Sequence, residues 1–494
     1  MFELAESDPV LSDREAERLI PPLRTRLLRA QYQFRHQKQR ALLILIGGID
    51  GAGKGDTINL LNDWMDARYI HTMAFSQPSE EERVYPRFYR FWRALPAKGE
   101  IGIVFGSGYA PLLEEAAKKH PDPDKLEELI LSARRYEADL VANGVQVIKL
   151  WFHLSKRAQR QRMQELLLNP STAWKVAPQD HDVHKKFKRL RQAGQRIIEA
   201  TDSSHAPWII IPAADENTRM VRTGQTVLQA LQRKSVRVPA LHDPAVLPTL
   251  KRQRNPLKEL DYTAELPKDD YQDELLHWQN RLAKLVRSKR FVRDHALVIV
   301  FEGQDAAGKG GAIRRITQAI DARQYDIMPV AAPEPFELAR PYLWRFWRQV
   351  PRLGRISIFD RSWYGRVLVE RVEKLITPAI WRRAYSEING FEQQLSRDGV
   401  IVVKFWLAIT QDEQLQRFNG RQAHPYKQYK LTDEDWRNRK RWTTYENATA
   451  DMLVHTDTAY AHWHLVAAND KRHARVEVIK QLVKRIEQAL DGDH

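Results

Sequence analysis

The stretch Phe301-Glu302-Gly303-Gln304-Asp305-Ala306-Ala307-Gly308-Lys309-Gly310-Gly311 decides the fold. Ahead of it the apolar run Ala296-Leu297-Val298-Ile299-Val300 reads as a buried strand, and after it Ala312-Ile313-Arg314-Arg315-Ile316 reads as the start of a helix. Strand, glycine-rich loop and helix are the context in which the spacing Gly-x4-Gly-Lys, from Gly303 to Lys309, predicts a phosphate-binding loop. Glycines let the backbone aim its N–H groups inward at phosphate oxygens. The helix N-terminus adds partial positive charge and Lys309 a full one. Where the usual motif carries a Ser or Thr to hold Mg2+, this chain has Gly310 and Gly311. Asp305, inside the loop, is the substitute oxygen ligand.

Working outward, the same pattern occurs earlier. Leu42-Leu43-Ile44-Leu45-Ile46 reads as a strand and runs into Gly47-Gly48-Ile49-Asp50-Gly51-Ala52-Gly53-Lys54-Gly55. Lys54 and Lys309 are 255 positions apart, and so are Trp92 and Trp347, Gly144 and Gly399, Lys149 and Lys404, and Trp208 and Trp463. A constant offset without gaps identifies a tandem duplication. The expected division is one domain over 1–240, a proline- and charge-rich linker over 241–270, and a second domain over 271–494. In the second copy the expected strands are Leu297–Phe301, a run around Ile327–Val330, Ile356–Phe359, Val400–Trp406 and His464–Ala467, with helices between them. Such alternation predicts α/β domains with parallel sheets covered on both faces, whose ligands bind at the carboxyl ends of the strands. Ahead of the first loop, Asp8 to about Arg40 is helical in period, and Pro21-Pro22 is expected to mark a break or a helix start.

Composition narrows the classes of function. The 494 residues are 43% hydrophobic and 29% charged, as in a globular protein. There is no cysteine, which excludes disulfides, thiolate nucleophiles and cysteine metal sites, and makes a reducing cytoplasm the simplest setting. No apolar run approaches a membrane span, and the acidic N-terminus lacks a signal-peptide layout. The net charge of +16 favours a polyanionic partner.

The strand Arg355–Phe359 ends in Asp360, followed by Arg361 and, a few residues on, Arg366. Alone, such an Asp reads as a cap or turn residue. Downstream of a phosphate-binding loop it reads as a ligand for Mg2+. Beyond Val400–Trp406 lies a basic region with Arg417, Arg421, Lys427, Lys430, Arg437, Arg439, Lys440 and Arg441, the composition of a lid over phosphates. The two copies discriminate between these readings. Asp360 corresponds to Phe105, Arg361 to Gly106, Arg366 to Pro111, Arg421 to Leu166 and Lys427 to Thr172, whereas Asp50, Lys54 and Arg162 match Asp305, Lys309 and Arg417. The first copy has kept the scaffold and lost the chemistry, so the second is expected to be the active one. The aromatic-basic run Tyr342–Arg348 has its counterpart in Phe88–Arg93 of the first copy, which favours packing or a subunit contact over base stacking. His455, His462 and His464 lack a companion carboxylate at metal spacing and read as surface or core residues.

The second copy resembles the polyphosphate kinase 2 family. The resemblance rests on Glu302–Gly311, Trp344–Arg348, Phe359-Asp360-Arg361-Ser362-Trp363-Tyr364, Lys404-Phe405-Trp406, Pro425–Lys430 and Ala468-Asn469-Asp470-Lys471-Arg472. It implies tandem P-loop kinase-like domains related to thymidylate kinase, three-layer α/β/α with parallel sheets and a helical lid. It implies a homo-oligomer that passes the terminal phosphate of inorganic polyphosphate to AMP, giving ADP, with Mg2+ as cofactor; a cytoplasmic setting without nucleic-acid or membrane partners is expected from the residues themselves. By the same resemblance Asp305 and Asp360 hold the metal. Gly303, Ala306, Ala307, Gly308, Lys309 and Gly310 cradle phosphate, Arg361 and Arg366 lie near the transferred group, and Arg417, Arg421, Lys427 and Lys430 form the lid. Gly365 stands where many relatives carry Asn. Other acceptors such as ADP, an ATP-dependent nucleoside monophosphate kinase, and a nucleic-acid-binding module remain as alternatives, to be separated by exchanging donors and by testing for salt-dependent nucleic-acid binding.

Overall fold

The structure, a computed structural model, describes residues 1–176, 183–233 and 255–492. Residues 241–254 of the expected linker and the side chains of Lys427 and Lys430 lie outside the described residues. The chain forms two compact units. The first gathers Met1–Pro78, Phe91–His242 and Glu334–Trp344; the second gathers Ser79–Arg90, Asp243–Pro333 and Arg345–His494. Backbone bonds inside each unit explain the short pieces. Lys98 N–H donates to Ala339 O at 2.9 Å in the first, and Leu353 N–H to Val84 O at 2.8 Å in the second.

Each unit is a five-stranded sheet, and every strand pairing is parallel. In the first unit β1 (Ala41–Gly48), β2 (Ile70–Ala74), β3 (Ile101–Phe105), β4 (Val145–His153) and β5 (Trp208–Pro212) lie in the order β2-β3-β1-β4-β5. In the second, β6 (Ala296–Gly303), β7 (Tyr325–Pro329), β8 (Ile356–Asp360), β9 (Val400–Ala408) and β10 (Trp463–Ala467) take the same order, β7-β8-β6-β9-β10. The central strands are near-continuous Val/Ile/Leu runs because helices cover both faces of a parallel sheet, and β4 and β9 are buried along their whole length. The expected α/β fold and all five expected strands of the second copy are present, with edges shifted by at most two residues.

The helix Asp13–Gln37 differs from expectation: it runs straight through Pro21 and Pro22. Both prolines are exposed, so the carbonyls that lose their intrahelical partner face solvent. Leu23, Leu27 and Phe34 bury the other side of the helix and hold it together. The aromatic run behaves as packing: Leu343, Trp344, Phe346 and Trp347 are buried, as are Phe88, Phe91 and Trp92 of the first copy.

One buried cluster is built twice. Lys404, at 0% exposure, donates from Nζ to Glu392 Oε2 at 2.8 Å, to Tyr364 Oη at 3.0 Å and to Thr456 O at 2.6 Å. Lys149 does the same with Glu137 at 2.9 Å, Tyr109 at 3.2 Å and Thr201 O at 2.8 Å. A charge this deep is tolerated because all three ammonium protons are bonded. Its presence in both copies marks it as scaffold.

Candidate active site

The sheet register assembles the second unit's site. Phe301 of β6 pairs with Asp360 of β8, so the strand-end carboxylate stands beside the strand that enters the glycine loop. The helix Lys309–Thr317 follows with Gly308 as its left-handed N-cap. Gly303 is obligatory: φ is +147°, and a Cβ there would stand 2.4 Å from Leu407 O.

Within the loop, Lys309 Nζ donates to Gly303 O at 3.0 Å and, among the described residues, forms no ion pair. Asp305 is held on both oxygens. Arg361 Nη2 reaches Oδ1 at 3.3 Å, and Asn438 Nδ2 donates to Oδ2 at 2.9 Å. Tyr445 in turn donates to Asn438 Oδ1 at 3.1 Å. The carboxylate is thereby turned away from Lys309. In the first unit Arg361 is replaced by Gly106, and there Asp50 instead pairs with Lys54 at 3.1 Å.

Arg361 adopts φ +64°, a left-handed conformation that costs a non-glycine residue roughly 1–2 kcal/mol. Its backbone N–H donates to Phe301 O at 3.0 Å, and the turn presents the guanidinium to Asp305. Strain retained at one side chain points to function there. The first copy keeps the turn with Gly106, at φ +59°, and has dropped the side chain. Burial alone would lower the Arg361 pKa, but Asp305, Glu302, Glu434 and Asp360 together outweigh it and raise the pKa above its ordinary value.

Two acidic groups flank the loop. Asp360 is half-buried, and its carboxylate has no hydrogen-bond or ion-pair partner among the described residues. Glu302 is buried and accepts from Ser362 Oγ at 2.8 Å. Burial raises its pKa, Asp360 adds to the rise, and the Ser362 hydrogen bond, Lys309 and Arg361 oppose it. Hard oxygen donors beside a phosphate loop suit Mg2+, which keeps several waters and needs only one or two carboxylates plus phosphate oxygens. Among the described residues no cluster of three or more His, Cys, Asp or Glu side chains forms a closed metal cage.

The basic residues divide. Arg417, expected in the lid, is a buttress. It is buried, and its five N–H groups go to Glu413 Oε1 and to the carbonyls of Ala306, Ala307, Ala468 and Asn469. It shapes the loop from behind and has no donor left for phosphate. Arg421 lies one turn on, half-buried. Arg366 pairs with Glu370 at 3.1 Å, and Arg441 with Glu373 at 2.8 Å. Arg475 was not anticipated. Its Nε lies 3.6 Å from the Cβ position of Gly311, and among the described residues it has no partner. The signals for the missed residues were in the repeat: Glu302, Asn438 and Arg475 correspond to Gly47, Val183 and Met220.

In front of the loop a cavity of about 110 Å³ opens. Gly303, Asp305 and Arg361 line one end; Leu368, Val369, Trp406, Trp442 and Tyr445 give it apolar and aromatic walls; Glu434, Asn438 and Glu446 add polar groups. An apolar, aromatic wall with a few convergent polar groups has the character of a small-molecule site.

Comparison with known proteins agrees with this geometry. Residues 10–239 and again 265–493 match the family model described as polyphosphate kinase 2. The chain is 47% identical to the polyphosphate:AMP phosphotransferase of Pseudomonas aeruginosa, with 100% of both chains covered. It is 40% identical to the protein of the same name from Acinetobacter johnsonii, covering 94% of this chain and 96% of that one. A crystal structure of a polyphosphate kinase 2 from Pseudomonas aeruginosa PA01 superposes over 100% of both chains with a TM-score of 0.89 at 46% identity.

Proposed function

The chain belongs to the polyphosphate kinase 2 family and is a phosphotransferase, and from that premise we propose that it transfers the terminal phosphate of inorganic polyphosphate to AMP, giving ADP. The reaction is assigned to the domain at 271–494, with the domain at 1–240 non-catalytic and 241–270 joining them. One observation carries the assignment. Of two loops built on the same scaffold, the second stands beside Asp360, Glu302 and Arg361 and opens on an aromatic cavity, whereas the first copy has Phe105, Gly47 and Gly106 at the three matching positions.

The loop N–H groups and Lys309 hold the phosphates. Arg361, with Arg475, Arg366, Arg421 and the lid lysines Lys427 and Lys430, neutralises charge on the transferring group. Asp305 and Asp360 hold Mg2+, which when bound supplies charge neutralisation at the phosphate oxygens. Phosphoryl transfer needs little beyond such positioning and electrostatic stabilisation. A chain bearing one charge per phosphate is a fitting donor for a protein with net charge +16.

The adenosine of AMP is assigned to the cavity, stacked on Trp442 and Tyr445 with its phosphate toward Arg361. Trp442→Ala should raise KM for AMP about tenfold with kcat little changed, since base–aromatic stacking contributes about 1–3 kcal/mol. An equal fall in kcat with KM unmoved would contradict that placement. For the reaction itself, purified protein given Mg2+, polyphosphate and AMP should form ADP. ATP in place of polyphosphate should not support comparable turnover. No ADP from folded protein would overturn the assignment, and faster turnover with ATP would favour a nucleoside monophosphate kinase.

A further inference from the structure

The first unit's loop retains the backbone of a phosphate site. Gly48, Gly51 and Gly53 hold positive φ, and the helix Lys54–Trp64 starts from Gly53. Yet the space around the loop differs from that in the second unit, and the difference lies in a few side chains. Where the second copy has Gly311 and Ala474, the first has Asp56 and Arg219.

Asp56, in the first turn of that helix, accepts from Arg162 Nη2 on Oδ2 at 3.0 Å and from Lys175 Nζ on Oδ1 at 2.8 Å. Arg219 is 1% exposed, donates from Nη1 to Ala213 O at 3.1 Å, and leaves its Nε without a partner. Its Cζ lies 2.8 Å from the Cβ position of Gly53, with Arg162 Nη2 at 3.0 Å. At Gly308, the equivalent glycine of the second unit, the nearest neighbour is Arg417 Nη1 at 3.9 Å. Three cations therefore converge on one carboxylate at the helix start. Burial lowers the pKa of Arg219 to about 10, with Arg162 adding to the fall. Burial alone would raise Asp56, but Lys175, Arg162 and Arg219 outweigh it and hold the carboxyl below its usual range.

We propose that the first unit carries a second site for inorganic phosphate chains, closed by the chain's own Asp56 carboxylate, which takes the place of a phosphate group between Arg162, Lys175 and the start of the helix. A carboxylate supplies two of the acceptor oxygens a phosphate would bring and cancels one positive charge. In this state the loop has no room and less net charge for an external anion. Removing the carboxylate leaves Arg162, Arg219 and Lys175 around an anion-sized gap at the positive end of a helix. The inference goes beyond the phosphotransfer reaction and stands whether or not that assignment holds, because its readout is binding.

The test uses the full chain with the second loop weakened by Lys309→Ala, and tripolyphosphate as the probe in calorimetry at physiological salt. Adding Asp56→Asn, or Asp56→Gly to match the second copy, should tighten tripolyphosphate binding about tenfold, the scale of one additional charge-assisted hydrogen bond. The Asp56 variants should melt at a lower temperature than the Lys309→Ala parent without the probe and recover with it, because a ligand bound only by the folded state stabilises it. Arg162→Ala added to either should abolish the tighter binding. The isosteric Asp56→Asn covers the case in which the glycine variant fails to fold. Folded Asp56 variants that bind no tighter than the parent would overturn the proposal. So would a Lys309→Ala parent whose tight binding is removed by Arg162→Ala, since the site would then be open with Asp56 in place.

Discussion

Lys309→Ala is expected to lower kcat for ADP formation about a hundredfold, the scale of removing one preorganised charge donor from a transition state. The ammonium leans on Gly303 O at 3.0 Å and has no ion pair among the described residues, because Arg361 and Asn438 hold Asp305 away from it. Its charge is therefore available to phosphate oxygens without first breaking an ion pair. The loss should appear in kcat as well as kcat/KM, since charge on the transferring group grows toward the transition state. Arginine should rescue poorly, since a planar fork does not replace a compact ammonium inside a backbone cradle. Unchanged far-ultraviolet circular dichroism would show that the fold is intact. A Lys309→Ala protein within a few-fold of wild type would remove this residue from the chemistry.

Lys404→Met is expected to act through stability, at a cost of about 3–5 kcal/mol to the second unit. The substitution leaves Glu392 fully buried with only Tyr364 Oη at 2.6 Å and Trp363 Nε1 at 3.0 Å as donors, and strands the carbonyl of Thr456. Removing one member of a buried pair is costly because the survivor keeps its desolvation penalty. Urea unfolding followed by tryptophan fluorescence should show the second unit's transition at lower denaturant. Lys149→Met should do the same to the first unit, whose Glu137 is left in the equivalent position. Turnover per folded molecule of Lys404→Met should stay near wild type. Unmoved transitions, or a fall in kcat with stability intact, would contradict a scaffold role.

Much of the fold was legible because its signals are local. A run such as Ala296–Phe301 is apolar along its whole length because a central parallel strand is buried on both faces. The gapless repeat also showed that Phe105 stands where Asp360 does. Side-chain partners were harder to read. Arg417 and Arg421 share a helix face by spacing, but spacing does not say that four loop carbonyls face the first of them. Pro21 and Pro22 signal a break only when helix geometry is considered without the burial of Leu23, Leu27 and Phe34 on the opposite side. Lys404 and Lys149 are visible in the sequence as a repeated pair, but their buried clusters with Glu392 and Glu137 depend on partners distant in the chain. Glu302, Asn438 and Arg475 were within reach of the copy-to-copy comparison. Their counterparts Gly47, Val183 and Met220 are as different as Phe105 is from Asp360.

The central claim is that one of two similar loops performs the transfer. The most direct measurement compares initial rates of ADP formation from polyphosphate, AMP and Mg2+ for Lys54→Ala and Lys309→Ala in the full-length chain. The expected rate is near wild type for Lys54→Ala, whose ammonium is tied to Asp50 at 3.1 Å, and about a hundredfold lower for Lys309→Ala. Equal losses in the two variants, or a loss confined to Lys54→Ala, would contradict it.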